Sequence, residues 1–448
     1  MAGGVSRRLA DFVVAARWED VPPPVRAHAV RSIVNGFGTA LGGAGDAAVL
    51  RLLTTLEPFS SGPRATLIGQ RPRVDMPTAA FLNAVAINVF DFDDTHENTI
   101  IHPTAPVAAA LFAAAEGYAV TGAELIHAFV LGVEVECRLG NAVSPGHYAR
   151  GWHITATCGV FGAAAAVGKL LRLGRREMLW ALGNAAAQSS GLVETLGFMA
   201  KSVGVGNAAR NGALAALMAQ NGVEGPPCPL EGPRGFLQVT CDAPDVSALV
   251  TGLGERWELA RNMLKPYPCG VVLNPVIDAA LAARRHSWFA LDRIERITVC
   301  GNPLLKARAD RPGIATGREA QVSAQHAIAV SLLRGSAGAA DFSDEAVAAP
   351  EIAALRAKVA AVEVVPAMSI DGARLAIGLA DGRSIEIVVD EATGSLNKPL
   401  TDADVVRKFE ALAAYGCPGL DVRPLLERLW QLESAVDAGA VMASARPQ

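Results

Sequence analysis

The sequence is poor in aromatic side chains and in lysine. Only 24 of its 448 residues are aromatic, whereas 83 are alanine and 44 are glycine, so a large core must be built from small side chains. Small side chains let helices approach closely, which favours a mostly helical fold. Of the 40 basic residues only 7 are lysine, and the position of each lysine is therefore informative.

Paired cysteines, a basic excess and long uncharged runs are also absent. The seven cysteines are scattered and contain no CxxC pair, which disfavours a disulfide framework, a zinc site or an iron–sulfur motif and predicts reduced thiols in a cytoplasmic protein. A net charge of −4 disfavours nucleic acid as a partner. No run of about 18 residues lacks both charge and histidine, so no membrane span is predicted. Residues 1–20 indicate an amphipathic helix rather than a signal peptide.

The pattern along the chain predicts two domains. Helical periodicity dominates residues 1–265, including a capping box at Thr121 and helices at 155–171 and 208–220. Strands alternate with helices in residues 266–400, with a hairpin turn at 381–382, and residues 401–440 are helical again. The expected fold is mostly α: a large all-helical domain, completed by 401–440, and a smaller α+β domain.

One dense polar cluster lies between Asp91 and His102, directly after an apolar run. Isolated buried carboxylates are costly, so the cluster must be solvated, paired or functional. Three interpretations stay open. It could be a polar loop that caps a helix, or a substrate site that includes Asp94 and Thr95. It could also be a metal site, with ligands among Asp91, Asp93, Asp94, His96 and His102.

A second cluster places His147, Tyr148, Arg150 and His153 in one predicted loop. These side chains can donate hydrogen bonds to a carboxylate, and His or Tyr can move protons. A structural role for a lone loop histidine is the competing interpretation. Thr155 is expected to cap the helix that follows.

Two lysines stand out because glycine or proline frames them: Lys201 precedes Gly204 and Gly206, and Lys265 opens the run Lys-Pro-Tyr-Pro-Cys. The other five lysines are expected at the surface or at helix ends. No Walker A loop, HExxH or nucleophile elbow is present, and the Rossmann spacing is incomplete.

Together the residues favour a site for acid–base chemistry that uses no metal and no cofactor. Lys201, Lys265 and Arg150 could hold an anionic substrate such as a polycarboxylate, and could stabilise the enolate-like charge that forms when a proton leaves the carbon beside a carboxylate.

Four motifs, in order along the chain, resemble the MmgE/PrpD family. They are Asp91-Phe-Asp-Asp-Thr with His102-Pro103, then Gly151-Trp-His153 followed by Thr157-x-Gly-x-Phe161, then Lys201 with Gly206-x-Ala-Ala, and Lys265-Pro-Tyr-Pro-Cys followed by Asn274-Pro-x-Ile-Asp. The family includes 2-methylcitrate dehydratase, cis-aconitate decarboxylase and iminodisuccinate epimerase.

The resemblance implies a helical domain built from both ends of the chain, a smaller α+β lid domain and a homodimer with its site in the cleft between domains. It implies work on di- and tricarboxylates without metal or organic cofactor. By motif, six residues would line the site: Asp91, Thr95, His102, His153, Lys201 and Lys265. His153 or Tyr148 would move the proton.

Two positions depart from the family pattern. His326 stands where lyases of the family tend to have tyrosine, and Asn274 stands where histidine is usual. The run from Gly146 through His153 is more similar to the epimerase branch. We therefore expect a lyase that acts on a small di- or tricarboxylate, with an epimerase as the first alternative and a non-catalytic carboxylate-binding protein as the second. His326 is expected to contact substrate in place of the tyrosine.

Overall fold

The computed structural model describes residues 4–62 and 65–447. Within these residues the chain divides into two compact units. Unit 1 comprises residues 4–62, 65–89, 93–262 and 402–447, and unit 2 comprises residues 90–92 and 263–401. The mostly helical fold predicted from the sequence is confirmed. The short insertion of residues 90–92 into unit 2 was not predicted.

Unit 1 is built almost entirely of helices. Its helices are α1 Val5–Ala15, α2 Pro23–Gly43, α3 Ala47–Leu56, α4 Met76–Asn88, α5 Thr104–Ala115, α6 Gly122–Val143, α7 Gly146–Ala149, α8 Ile154–Leu170, α9 Arg175–Ala186, α10 Ala200–Gln220, α11 Phe236–Thr240 and, from the C-terminal part of the chain, α18 Asp402–Gly416 and α19 Arg423–Trp430. Its strands are β1 Ala65–Thr66, which pairs antiparallel with β2 Arg73–Val74, and β3 Asp94–His96. Short 3₁₀ turns lie at Trp18–Asp20, Glu57–Phe59, Val193–Thr195, Val246–Leu249, Glu258–Arg261, Leu432–Ser434 and Gly439–Ala445.

The centre of unit 1 is formed by α5 and α8, whose alanine-rich surfaces are buried on nearly every side. Helix α8 packs against α5, α6, α9 and α10. Glycine permits the closest of these approaches: a Cβ added to Gly212 of α10 would lie 2.5 Å from Ala163 Cβ of α8, and one added to Gly204 would lie 3.2 Å from Ala156 Cβ. Residue numbers rise together in both contacts, so α8 and α10 run parallel and begin side by side.

Helix α18 returns from the C-terminal part of the chain to pack on α2. The Phe409 ring lies over Gly38, where an added Cβ would be 3.0 Å from the ring, and Lys408 Nζ donates to Asn35 Oδ1 at 2.7 Å. The helical return that the sequence indicated therefore contacts the second helix of the chain.

Unit 2 is an α+β unit around one four-stranded sheet. Its strands are β5 Ile294–Gly301, β6 Glu363–Val364, β7 Ala373–Leu379 and β8 Ser384–Val389, in the order β6-β5-β7-β8, and β4 Asn262–Leu264 lies where the chain leaves unit 1. Its helices are α12 Asn274–Arg284, α13 Pro303–Ala309, α14 Gly317–Ala320, α15 Ala324–Arg334, α16 Asp344–Ala348 and α17 Pro350–Arg356, with 3₁₀ turns at Val271–Leu273, Leu291–Arg293 and Ala339–Phe342. Strands β7 and β8 pair antiparallel around Gly382, whose φ of 82° suits the tight turn. Helices α12 and α15 share one apolar core with the sheet.

Among the helices of the described residues, none is both long enough and apolar enough to cross a membrane.

Candidate functional site

The polar cluster at 91–102 is buried rather than solvated. Asp93, Asp94 and His96 are each 0% exposed. Backbone hydrogen bonds from His96 N to Ile101 O (2.8 Å) and from Ile100 N to His96 O (2.9 Å) close the segment into a compact turn. Ile100 adopts a φ of 56°, which is strained for a β-branched residue. Asn98 of the same segment is exposed, whereas the buried polar side chains need partners within the protein or in a ligand.

Asp94 is held by three donors of the protein itself. Its carboxylate accepts from Thr104 Oγ1, from Thr104 N at 3.3 Å and from Asn262 Nδ2 at 2.6 Å. Burial, followed by the nearby charge of Asp93, raises the pKa of Asp94. These bonds fix the start of α5, which accounts for the helix-capping interpretation at this residue. A contact between Asp94 and substrate stays a prediction.

Asp93 and His102 form a buried acid–imidazole pair. His102 Nδ1 lies 3.1 Å from Asp93 Oδ1 and 2.7 Å from the carbonyl oxygen of Asp94. Both neighbours are acceptors, so Nδ1 carries the proton, and in neutral His102 the lone pair is on Nε2. An imidazole oriented in this way can accept or return a proton at Nε2.

His102 is fixed to the start of α8 through Thr155. The His102 backbone N–H donates to Thr155 Oγ1 at 3.1 Å. The expectation that Thr155 caps α8 was wrong: His153 is the N-cap residue, Thr155 lies inside the first turn, and its hydroxyl is used by the cluster at 91–102 instead. This bond brings His102 to the end of α8 that carries His153.

A chain of buried side chains continues from Asp93 to the start of α10. Asn88 Nδ2 donates to Asp93 Oδ2 at 2.9 Å, and Ser202 Oγ donates to Asn88 Oδ1 at 3.2 Å. Ser202 directly follows Lys201. Sequence reasoning missed Asn88 and Ser202. The available signal was a polar amide at the end of an otherwise apolar run.

Lys201 and His153 lie at the same level of the two parallel helices. The contacts at Gly204 and Gly212 set an offset of 48 to 49 residues between α8 and α10, which places Lys201 opposite His153. The expected helix start at 208 was wrong, because α10 begins at Ala200 and Lys201 is in its first turn. Neither helix has a side-chain cap or an acidic residue in its first turn. Two parallel helix starts with a lysine favour a bound carboxylate.

The second cluster is divided between the surface and the core. His147 and Tyr148 lie in the short helix α7 rather than in a loop, Arg150 directly follows α7, and His153 is the N-cap residue of α8. Tyr148 is half-buried, and the exposed Arg150 lies 3.1 Å from Asp242. His147 is fully buried, bonds Thr157 Oγ1 at 2.7 Å, and burial lowers its pKa to about 4. His147 therefore has a packing role, while Tyr148 and Arg150 stay predictions as site residues.

His96 and Glu97 join the cluster to residues 258–261. His96 Nδ1 bonds Thr99 Oγ1 at 2.9 Å, and His96 Nε2 lies 3.3 Å from Glu258. Burial raises the pKa of Glu258, but its bonds to His96 and Asn141 outweigh burial, and the pKa is lowered to about 2. Glu97 pairs with Arg261. As metal ligands, His96 and Asp94 would have to give up these internal bonds.

Thr95 is 1% exposed, and its hydroxyl makes no hydrogen bond within the described part of the chain. A buried hydroxyl without a partner is uncommon and is available to a ligand or an ordered water.

Three predicted site residues belong to unit 2. Lys265 is 2% exposed, and its Nζ donates to Asp91 O at 3.0 Å and lies 3.2 Å from Asp91 Oδ2. His326 is fully buried in α15, and its Nε2 bonds the carbonyl oxygen of Asp341 at 2.8 Å. Asp91 and Lys265 are thus brought together, whereas the bond and burial of His326 favour packing. Substrate contact by His326 stays a prediction.

Comparison with known proteins adds to this geometry. Models of the MmgE/PrpD N-terminal and C-terminal domains match residues 7–249 and 267–432. An Aspergillus oryzae protein described as cis-aconitate decarboxylase-like protein oryM is 27% identical over 98% of this chain and 97% of the relative. The cis-aconitate decarboxylases of Mus musculus and Homo sapiens are 27% and 28% identical over 98% and 86% of this chain, and over 93% and 82% of the relatives. The two family models together extend over most of the sequence, and the chain therefore belongs to the MmgE/PrpD family.

Proposed function

We propose that the protein is a lyase that acts on a small tricarboxylate, with loss of carbon dioxide as its leading reaction. The observation that carries the proposal is the meeting of His102, fixed by Asp93 and Thr155, with the paired starts of α8 and α10 that carry His153 and Lys201. The relatives described as cis-aconitate decarboxylases support the choice of reaction.

The binding half of the proposal rests on the two helix starts. Their first turns, which contain no acidic residue and have no side-chain cap, and the Lys201 ammonium together favour a carboxylate, and a second carboxylate would lie nearer the Thr95 hydroxyl. Lys265 of unit 2 stays a predicted substrate contact by its motif. A substrate with several carboxylates suits this set better than one with a single charge.

The chemical half rests on the imidazoles. When a carboxylate leaves as carbon dioxide, its bonding electron pair stays on carbon as an enolate-type anion, and an acid must then protonate that carbon. Loss of water instead begins with removal of a proton by a base. His102 Nε2, with Nδ1 held by Asp93 and the Asp94 carbonyl, could serve either step, and Lys201 would stabilise the anion.

Incubation of the purified protein with cis-aconitate and other small di- and tricarboxylates in deuterated water tests the proposal. Proton NMR and a carbon dioxide assay would follow the products. Carbon dioxide release with one deuterium placed on carbon supports decarboxylation, and a new vinyl signal without carbon dioxide supports a dehydrating lyase. Deuterium exchange into an unchanged skeleton would establish the epimerase, and thermal shifts without turnover would establish a binding protein. Either of these two results contradicts the lyase.

We propose further that turnover needs no metal. Dialysis against a chelator should leave activity unchanged, because each candidate ligand already has a partner within the protein: Asp93 pairs with His102, Asp91 with Lys265, and Asp94 and His96 with Asn262 and Glu258. Activity that is lost on dialysis and restored by a divalent cation would instead assign a metal to the cluster at 91–102.

A further inference from the structure

We infer that Asn88 and Ser202 are positioning residues, which set the orientation of the Asp93 carboxylate and through it the orientation and tautomer of the His102 ring. The inference rests on the proposed function, since it assigns His102 a role in proton transfer. We call the four residues Ser202, Asn88, Asp93 and His102 the relay. All four are buried in unit 1.

The amide of Asn88 has only one orientation that fits its neighbours. Its Nδ2 donates to Asp93 Oδ2 at 2.9 Å, while its Oδ1 accepts from Ser202 Oγ at 3.2 Å. A flipped amide would put its oxygen against a carboxylate, where two acceptors repel, so the Asp93 carboxylate itself determines the orientation of the amide. The Ser202 hydroxyl, which can rotate to donate, then bonds Oδ1 and holds the amide in place.

The position of Asp93 in turn affects His102. With Oδ2 held by Asn88, Oδ1 remains 3.1 Å from His102 Nδ1. A carboxylate beside Nδ1–H favours the tautomer whose lone pair is on Nε2 and helps to fix the ring. The backbone carbonyl of Asp94 also accepts from Nδ1, at 2.7 Å, so loss of Asn88 should weaken the action of the carboxylate without releasing the ring.

A second buried amide on the same helix shows what a purely structural asparagine does there. Asn83 of α4 accepts from Ile68 N at 2.9 Å and donates to the carbonyl oxygen of Thr66 at 3.0 Å, so it satisfies the backbone of a neighbouring segment. Within the described residues, the Asn88 amide bonds two side chains, Asp93 and Ser202. Asp93 pairs with His102, and Ser202 directly follows Lys201. This difference separates a positioning role from a packing role.

Paired variants test the relay. Asn88→Ala should lower kcat by about tenfold with little change in KM, the scale of an outer partner of a reactive group. Asn83→Ala removes two buried hydrogen bonds from the same helix and should lower the melting temperature while leaving both kinetic constants unchanged. An equal loss of kcat in Asn88→Ala and Asn83→Ala would show that Asn88 has only a packing role and would contradict the inference.

Ser202→Ala keeps the test decisive should Asn88→Ala fail to fold. It removes one hydroxyl and should lower kcat less than Asn88→Ala does. Since Ser202 acts on Asp93 only through Asn88, the double variant should be no slower than Asn88→Ala alone. Losses of kcat that multiply in the double variant would overturn the relay.

Chemical modification of His102 tests the relay without turnover. Diethyl pyrocarbonate acylates a neutral imidazole at its lone pair, and mass spectrometry follows the peptide that contains His102. The rate at His102 should fall in Asn88→Ala and Ser202→Ala and stay unchanged in Asn83→Ala. An unchanged rate in all three contradicts the relay. An absence of turnover on every carboxylate, with the expected pattern of modification, would contradict the proposed lyase but not the relay.

Discussion

Buried carboxyl groups of unit 1 differ in the partners that decide their charge. Asp93 faces His102, Asp94 has three donors, and Glu258 has His96 and Asn141. Glu136 of α6 is also fully buried, yet neither of its oxygens has a hydrogen-bond partner within the described residues. Burial, reinforced by the charge of Asp94, holds the pKa of Glu136 well above its usual range, so this side chain stays a neutral acid.

Glu136 predicts a dependence of stability on pH. The pKa of Glu136 is raised in the folded state, so the folded protein keeps a proton that the unfolded chain releases above its own pKa of about 4.3. The stability that this proton contributes is fully present below that pH and is lost progressively as pH rises above it. Glu136→Gln carries no such cost. In urea unfolding, the free energy of unfolding of Glu136→Gln should therefore increase relative to that of the wild type as pH rises from about 4.5. The increase should be up to about 1.4 kcal/mol per pH unit until the pKa of Glu136 in the folded state is reached.

Glu124 of the capping box supplies the control of opposite sign. The Thr121 backbone N–H lowers the pKa of Glu124, so its contribution is present above the unfolded pKa and is lost as pH falls. Glu124→Gln should therefore differ most from the wild type at neutral pH. Parallel pH trends in the two variants would contradict the neutral state assigned to Glu136.

Substitution of the three central polar residues tests the proposed site. His102→Gln, His153→Gln and Lys201→Ala should each lower kcat/KM by about a hundredfold, the scale of one acid–base or electrostatic group. His127→Gln changes another histidine of unit 1, one beside Trp18, and should leave the rate unchanged. Rates like the wild type in all three variants would remove the site from this part of unit 1.

At this scale the sequence predicted residues of unusual type but not their partners. Lys201 and His102 stood out because lysine is scarce and the cluster around His102 is dense in charge. Asn88 and Ser202 are common residues whose meaning comes from a bond across 114 positions. Glu136 occurs within an apolar helix, and only packing shows that no donor reaches it.

At the scale of elements, the alignment of α8 with α10 determines which residues of their first turns lie side by side. The alignment depends on small residues, since a Cβ at Gly212 would lie 2.5 Å from Ala163 Cβ and 2.6 Å from the carbonyl oxygen of Val160. Backbone cannot move aside as a flexible side chain can.

Gly212→Ala should separate the two helices. We expect a loss of about 1–3 kcal/mol of unfolding free energy, the usual cost of overpacking, together with a lower kcat/KM because the helix starts move apart. Denaturant unfolding and steady-state kinetics measure the two effects. Gly117→Ala is the control, as its added Cβ would meet only the carbonyl oxygen of Ala114, at 3.6 Å. Equal stability of the two variants would contradict the tight contact.

Local signals predicted some elements well and others poorly. The capping box at Thr121 and the hairpin turn at 381–382 are found as expected, because the signals for both lie within a few neighbouring residues. The start of α10 was missed by eight residues because Gly204 and Gly206 indicate a break in sequence. In the structure these glycines are contact points for neighbouring helices, which only the packing reveals.

At the scale of the whole molecule, unit 1 is assembled from segments far apart in sequence. The match to the C-terminal family domain ends at residue 432, yet residues 402–447 belong to unit 1. Composition and periodicity predicted the helical return. They could not predict its partner, because the apolar face of α18 fits any apolar surface and the glycines of α2 select it.

Phe409→Ala should destabilise unit 1 by about 3–5 kcal/mol, the range for a buried aromatic ring replaced by alanine. Phe409 is 1% exposed and lies over Gly38 of α2, so its loss leaves a cavity at the contact of two distant segments. Thermal and urea unfolding measure the change. Val436→Ala, at a side chain 89% exposed, should leave both transitions unchanged. A stable Phe409→Ala would show that α18 contributes little to unit 1.

The packing of α18 on α2 also has a consequence for biosynthesis. A ribosome releases α2 hundreds of residues before α18, and all of unit 2 is synthesised between them. The α2 surface that α18 covers thus stays exposed while the intervening chain is made. Unit 2, whose sheet and core come almost wholly from the continuous segment 263–401, can fold in that interval. The order of synthesis and the order of folding therefore differ: the first helices to emerge belong to the unit that is completed last.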